Sequence, residues 1–291
     1  MTLRQILALG GGAALLTALC EPYRLEVRRF DVFLENLPQG AENLRVLQIS
    51  DLHAGAIQPR ALRQKIIAAA HRENADLVAL TGDMVSRHRS YSRFILARQI
   101  ARPIIEYAQI VARELEILRP PLGIYAVPGN HDLWNGSFAP IAEILRASGI
   151  ETLLNRSIRL ENGLIVAGLD DLRVGNPDFP RTFAGVEANE AELILSHNPR
   201  TALLMESRNA LILSGHTHAG QVRLPLISVS GVPVDMGNSF FTRDFYRLGR
   251  AQLYVSRGAG CVHFPIRFRA RPEIAVFTLK SDLFYRESSK R

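Results

Sequence analysis

From Arg45 onward, short apolar runs bounded by polar turns alternate with longer stretches whose apolar residues recur at helical spacing. Residues 45–49 (RVLQI), 76–80 (DLVAL) and 123–127 (GIYAV) are too short and too uniformly apolar for surface helices, and read as buried strands. Between them, residues 59–70 and 92–118 read as helices, the second interrupted at Pro103, and 140–148 as a helix stopped by Gly149. Further strands are predicted at 164–167, 193–196, 211–213, 253–256 and 274–279, with shorter connections. The first half therefore reads as βαβ units and the second as mixed β, an α/β class overall. No internal repeat or low-complexity linker divides the chain.

The N-terminus departs from this pattern. An apolar run from Ile6 to Cys20, rich in Leu, Ala and Gly, follows Arg4. A helix that crosses a bilayer needs about 20 apolar residues, so this run is short. Residues 1–22 are expected to be an uncleaved membrane anchor, with a cleaved secretory signal as the alternative, and 23–291 to be one folded domain. Thr17-Ala18-Leu19-Cys20 is a poor cleavage site for a signal peptidase. Arg24, Arg28 and Arg29 follow the run, against Arg4 and the amino terminus before it. Counting these charges favours a cytoplasmic domain, with an exported or periplasmic one as the alternative.

Composition narrows the possibilities only a little. With 47% hydrophobic and 22% charged residues over 291, the chain can bury a large core and is not disordered. The net charge of +7 attracts polyanions in general: nucleic acid, anionic lipid or phosphorylated small molecules. Cys20 and Cys261 are the two cysteines and form no CxxC pair, which argues against a disulfide framework or a thiolate zinc site.

The chemistry lies at the strand ends. Asp51-Leu52-His53 follows the first predicted strand, Thr81-Gly82-Asp83 the second, and Gly129-Asn130-His131-Asp132 the third. Ser196-His197-Asn198 and Gly215-His216-Thr217-His218 follow two of the later strands. Open α/β sheets gather ligands at the carboxyl ends of their strands, so five polar clusters there mark one crevice. Carboxylate, imidazole and amide oxygen without thiolate suit Mn, Fe, Zn or Mg. In extended backbone, Asp51 and His53 point to one side and reach one ion, and His216 and His218 repeat that spacing. Alone, Asp-x-His or Gly-Asp is usually a turn or a helix cap; the ordered series of five is what carries the inference.

The series DLH, GD, GNHD, SHN and GHTH resembles the calcineurin-like metallophosphoesterase superfamily. SGHTHAGQVRLP, LYVSRGAG and PIRF further resemble its YkuE/YaeI-type branch, whose members often begin with a membrane or export segment. The likeness runs from about Leu44 to Leu279. It implies a four-layer α/β/β/α sandwich behind an N-terminal hydrophobic helix. It also implies two divalent ions, Mn²⁺ foremost with Fe, Zn or Mg as alternatives. Asp51, His53, Asp83 and His218 would hold one ion, and Asp83, Asn130, His197 and His216 the other, with Asp83 shared. Water activated by the pair would attack phosphorus, His131 would stabilise charge or protonate the leaving oxygen, and Asp132 would either orient His131 or cap the next helix.

The resemblance implies a phosphodiesterase or pyrophosphatase, with a membrane lipid-linked nucleotide such as UDP-2,3-diacylglucosamine of lipid A synthesis as the expected substrate. A soluble-nucleotide phosphodiesterase or nuclease is the alternative, and a metal-bound interaction module a further one. Nucleic acid is not expected as a partner, since no aromatic stacking platform is evident, and no obligate protein partner is inferred. Between Asp83 and the third strand lies a basic, apolar-studded insertion in which Arg87, Arg89 and Arg93 are candidate contacts to substrate or anionic lipid, with Arg257 as a further candidate. Residues 224–241 are expected to form a flap over the site or extra sheet. Cys261 and His263 are expected to be structural, and Asp170 and Asp171 to be turn residues.

Overall fold

The computed structural model describes residues 3–56, 58–86, 103–134, 138–224, 227–228, 241–262 and 264–282. The helices are α1 (Leu3–Cys20), α2 (Arg60–Arg72), α3 (Ile104–Leu115), α4 (Asn130–Leu133), α5 (Ala139–Ala147) and α6 (Phe179–Thr182). The first strands are β1 (Glu26–Leu34), β2 (Arg45–Ile49), β3 (Leu77–Thr81), β4 (Ile124–Val127), β5 (Ile150–Thr152), β6 (Arg156–Arg159) and β7 (Ile165–Gly168). They are followed by β8 (Glu192–Leu195), β9 (Ala210–Ser214), β10 (Arg223–Leu224), β11 (Ile227–Ser228), β12 (Asp244–Leu248), β13 (Ala251–Val255) and β14 (Glu273–Ser281).

Two six-stranded sheets form, in the orders β1-β14-β2-β3-β4-β5 and β12-β13-β9-β8-β7-β6. In the first, β2 to β5 are parallel, β14 is antiparallel to β2, and β1 is parallel to β14. In the second, β7, β8, β9 and β13 are parallel, with β6 and β12 antiparallel at the edges. The central strands are mostly apolar because both of their faces are buried. Leu77 and Ala79 of β3 join the layer between the sheets, where they share a core with Leu193, Leu195, Leu211 and Leu213. Val78 and Leu80, on the opposite face, pack with Leu62 and Ile66 of α2 and Val111 and Leu115 of α3.

Ile194 and Ile212 on the outer face of the second sheet pack against Ala202 and Met205, near a 3-10 segment, Pro199–Leu204. The predicted α/β/β/α layering is therefore observed, with a thin fourth layer made of α6 and this 3-10 segment. The predicted strands and helices lie within a few residues of those observed, except that the part of the predicted 92–118 helix before Pro103 lies outside the described residues; β1, β5, β6 and β12 were not anticipated. β1 (EVRRFDVFL) is polar and only partly buried over its first half, so it lacks the apolar signature of the central strands.

Arg28 and Arg29 lie within β1, paired with Asp244 and Glu73. Among the described residues no helix is long and apolar enough to cross a membrane. The end of α1 is stitched to the domain: the Ala18 carbonyl accepts the Arg267 amide at 3.0 Å, and the buried Glu21 carboxylate accepts the Ala270 amide at 2.6 Å. The basic insertion with Arg87, Arg89 and Arg93, most of the expected 224–241 flap, and His263 lie outside the described residues. The start of the flap is the short β10–β11 hairpin.

Candidate metal centre

β2, β3 and β4 of one sheet and β8 and β9 of the other end around one point, and each delivers one of the five polar clusters. The loops are locked together before any ligand is considered. The Asp51 amide donates to the Gly82 carbonyl at 3.0 Å and the His53 amide to the Asp83 carbonyl at 2.9 Å, joining the β2 and β3 loops. The Asp51 carboxylate accepts the His216 amide at 3.1 Å and the Ser50 hydroxyl at 2.6 Å, which ties the first sheet to the second. Gly82 makes this crossing possible: its φ is +86°, and a Cβ there would sit 2.6 Å from His197 Nδ1.

The expectation of extended backbone is corrected here. Asp51 (φ 55°), His53 (φ 48°), Asp83 (φ 51°), His216 (φ 73°) and His218 (φ 50°) all adopt left-handed conformations. Each costs about 1–2 kcal/mol in a non-glycine residue. Such strain persists only where surrounding structure overdetermines it, and it concentrates at functional sites.

The donor atoms converge in two groups that share Asp83. In the first, His53 Nε2 and His218 Nε2 are 2.9 Å apart, Asp51 Oδ1 lies 3.3 Å from His218 Nε2, and Asp83 Oδ2 lies 3.5 Å from His53 Nε2. In the second, His197 Nε2 lies 3.3 Å from Asp83 Oδ2, 3.2 Å from Asn130 Oδ1 and 3.2 Å from His216 Nδ1. Apart from the half-buried His216, these side chains are buried. His197 Nδ1 donates to the Thr81 carbonyl at 2.8 Å, so its Nε2 is the atom left facing the cluster. Unshielded nitrogen and oxygen donors at such separations fit divalent cations, and the grouping of Asp51, His53, His218, Asp83 and His197 has the reach to hold them.

Without ions, protons balance the charge. Burial works against ionising Asp83, yet His197 and His131 hold its carboxyl well below the usual range. Burial likewise opposes a charged His197, but Asp83, and more weakly Asp51 and Asp171, raise it well above 6.5. Burial and then the His197 charge push His216 down to about 3. His53 is lowered by burial and by His131.

The buried His131 stands edge-on to His53, with ring centroids 4.7 Å apart, and packs on Trp134 at 4.3 Å. Asp132 does not orient that imidazole, which corrects its expected role. Its Oδ2 accepts the Gly129 amide at 2.9 Å and its Oδ1 the Val85 amide at 3.1 Å, so it staples the β3 loop to the β4 loop. Nor does it cap the following helix, since it sits inside α4. Burial, and then the Asp83 charge, push its carboxyl up to about 7, against the pull of the amide donors.

Arg257 is also corrected. Its guanidinium pairs with Glu26 at 3.1 Å, Glu273 at 3.3 Å and Asp244 at 3.3 Å, which commits it to a structural network. Cys261 is buried and free, as expected of a structural residue. Asp170 and Asp171 are turn residues as predicted: the first accepts the Asp171 and Asn176 amides, the second those of Arg173 and Val174. Sequence reasoning did not single out Arg267, which is fully buried, or Trp134. Arg267 donates to the Gly258, Arg257 and Ala270 carbonyls and lies 3.3 Å from His218 Nδ1. Trp134 stands out only as the single tryptophan, two residues beyond the GNHD run.

Residues 44–220 match the model of the calcineurin-like phosphoesterase family, more than half of the chain. The uncharacterized metallophosphoesterase YkuE of Bacillus subtilis is 30% identical over 94% of this chain and 92% of its own. The phosphodiesterase YaeI of Escherichia coli is 29% identical over 89% of this chain and 90% of its own. A Danio rerio transmembrane protein with a metallophosphoesterase domain is 30% identical over 86% of this chain, which spans 56% of that protein.

Proposed function

The chain belongs to the calcineurin-like phosphoesterase family, and from that premise we propose that it hydrolyses a phosphodiester or diphosphate bond at a dinuclear metal centre. The family makes it a metal-dependent phosphoester hydrolase. The dinuclear reading is carried by one observation: Asp83 Oδ2 faces His53 Nε2 at 3.5 Å on one side and His197 Nε2 at 3.3 Å on the other. Asp51, His53, Asp83 and His218 would hold one ion, and Asp83, Asn130, His197 and His216 the second. Mn²⁺ is the first choice for this nitrogen and oxygen set, with Fe, Zn and Mg as alternatives. When bound, such ions acidify water and draw charge from a phosphoryl group.

The protein's own groups supply the rest. Asp83 accepts the His131 amide at 2.7 Å and so fixes the start of α4 against the centre. His131, beside His53, is then placed to hold a proton for the leaving oxygen. Asp132 keeps the two loops from separating, and the His197 Nδ1 bond to Thr81 keeps that imidazole turned inward.

The substrate we propose is a phosphate ester or diphosphate presented at a membrane surface, a lipid-linked nucleotide such as UDP-2,3-diacylglucosamine. Two features support this reading. Leu15, Leu16 and Leu19 of α1 are exposed, at 61%, 65% and 46%, on a helix whose end is bonded to Arg267 beside His218. In addition, burial and then the charges of Arg243, Arg257 and Arg269, opposed by Asp244, lower the pKa of the half-buried Arg223, so positive charge is in excess around it just past the His218 loop.

The test is hydrolysis of bis(p-nitrophenyl) phosphate and of UDP-2,3-diacylglucosamine in detergent micelles, both with Mn²⁺ and with His131→Ala as control. Release of UMP by the wild-type protein alone supports the whole reading. Turnover of the generic diester alone keeps the hydrolase and discards the lipid substrate. Activity unchanged in His131→Ala overturns the site assignment.

A further inference from the structure

Beyond the two donor groups, the loop that follows β7 brings an unassigned arginine to the centre. Asp171, fully buried, accepts the Arg173 amide at 2.9 Å and the Val174 amide at 3.0 Å through Oδ1. Asp170 accepts the Asp171 and Asn176 amides, each at 2.8 Å, and the Gly175 amide closes the turn on the Asp171 carbonyl at 2.9 Å. Asp170 spends both oxygens, and Asp171 its Oδ1, on backbone amides, which builds a tight, fixed turn; Asp171 Oδ2 is buried without a hydrogen-bond partner among the described residues, and neither carboxylate pairs with the arginine that the turn projects.

That arginine is exposed, and its guanidinium carbon lies 5.9 Å from the Trp134 ring centroid. Trp134 in turn packs on His131 at 4.3 Å. Arg173, Trp134 and His131 therefore form a chain of side-chain contacts, the two rings tilted by 54°, from the surface turn to the imidazole that stands edge-on to His53. Among the described residues no carboxylate pairs with Arg173, whereas Arg257 has three such partners and the Arg267 guanidinium is spent on carbonyls. A guanidinium held near an aromatic ring, with N–H donors that pair with none of the described side chains, is suited to the bidentate grip of phosphate oxygens. An exposed contact with an aromatic face stabilises by only about 0.5–1 kcal/mol, which leaves most of that donor capacity unused.

We propose that Arg173, held against Trp134 by the Asp170–Asp171 turn, is the protein's own phosphate-binding cation at this centre and grips non-bridging oxygens of the phosphoryl group. The proposal rests on the dinuclear phosphoesterase reading above. Phosphoryl transfer spreads negative charge over the equatorial oxygens, and a positioned arginine stabilises that charge without moving a proton. Trp134 holds the guanidinium plane and couples its position to His131.

Trp134 is the single tryptophan of the chain, so its emission reports on this stack alone. The experiment titrates inorganic phosphate into metal-loaded wild-type, Arg173→Gln and Arg173→Lys proteins, following Trp134 fluorescence and, independently, heat by calorimetry. Metal content and hydrolysis of bis(p-nitrophenyl) phosphate are measured on the same samples. Wild-type emission should change on phosphate binding. Arg173→Gln should bind phosphate about tenfold or more weakly with unaltered metal content, and Arg173→Lys should recover part of that loss because it keeps charge without the planar fork. Hydrolysis should show a raised KM in Arg173→Gln. If Arg173→Gln binds phosphate as tightly as the wild type, with an unaltered KM, the arginine is merely a surface cation on an aromatic face and the proposal falls. A wild-type protein that is metal-loaded yet neither binds phosphate nor hydrolyses the diester overturns the hydrolase reading, and the role of Arg173 with it.

Discussion

The carboxylate of Asp83 accepts the backbone N–H of His131 at 2.7 Å. The side chain that faces both donor groups therefore also sets where α4 begins. Ligand and proton donor are coupled through one hydrogen bond, and substitutions at the two positions should separate their roles.

Asp83→Ala should lose bound metal and activity together. His131→Ala should keep its metal while kcat falls on the order of 10²–10⁴-fold, the usual range for a positioned general acid. Metal analysis beside steady-state kinetics checks both. A His131→Ala protein depleted of metal would instead make this imidazole a ligand, as its closeness to His53 and Asp83 permits.

Metal uptake should release protons near neutrality. In the metal-free protein Asp83 holds His197 protonated well above 6.5, and ligation requires neutral Nε2. Affinity should therefore rise with pH until His197 has lost its proton in the free protein. His216, at about 3, is already neutral and adds nothing to this dependence. The sign for stability is opposite: a raised His197 pKa stabilises the metal-free fold below about 6.5, and this contribution is lost as pH rises through the folded pKa. The increase in Tm on adding Mn²⁺ should thus grow with pH. Calorimetry in buffers of differing ionisation enthalpy, with thermal scans at pH 6 and 8, measures both effects.

Gly82→Ala should weaken metal binding as well as folding. The residue would need φ near +86° with a Cβ 2.6 Å from His197 Nδ1 and 2.7 Å from the Gly129 amide nitrogen. Strain and displacement together should cost about 2 kcal/mol or more. Denaturant melts of the metal-free protein, set beside Mn²⁺ titrations, separate the two losses. A protein of unchanged stability would show that the β3 and β4 loops can part freely.

Arg267→Met should unfold at lower temperature, because it strands the Gly258 and Ala270 carbonyls in a dry interior. The expected cost is about 2–5 kcal/mol, at about 1–3 kcal/mol for each buried carbonyl left unpaired. Because the Arg267 guanidinium also touches His218, Mn²⁺ affinity should fall as well.

How much of this was legible differs from element to element. The central strands β2, β3, β4, β8 and β9 are buried on both faces, so their sequences are mostly apolar, with Gln48 the one polar residue inside a run. The edge strands β1, β6 and β12 carry arginines and are only partly buried, and no local period marks them as strands. The same contrast holds within the centre. Asp51, His53, Asp83, Asn130, His197, His216 and His218 were readable because carboxylate, amide and imidazole recur at strand ends. The role of Asp132 was not, because GNHD says nothing about which amides its carboxylate meets.

By itself the sequence determined the element types of the central sheets, the family and the set of side chains that gather at the centre. Those follow from local apolar patterning and from residue chemistry, which are properties of the chain in one dimension. Tertiary structure alone decided that the ligands sit in left-handed backbone, that Arg257 serves an ion network, that Arg267 links α1 to His218, and that Arg173 reaches Trp134. Each of these depends on contacts between segments far apart in sequence. An arginine looks the same in one dimension whether carboxylates, carbonyls or an open aromatic face await it; packing supplies the partner, and the partner supplies the role.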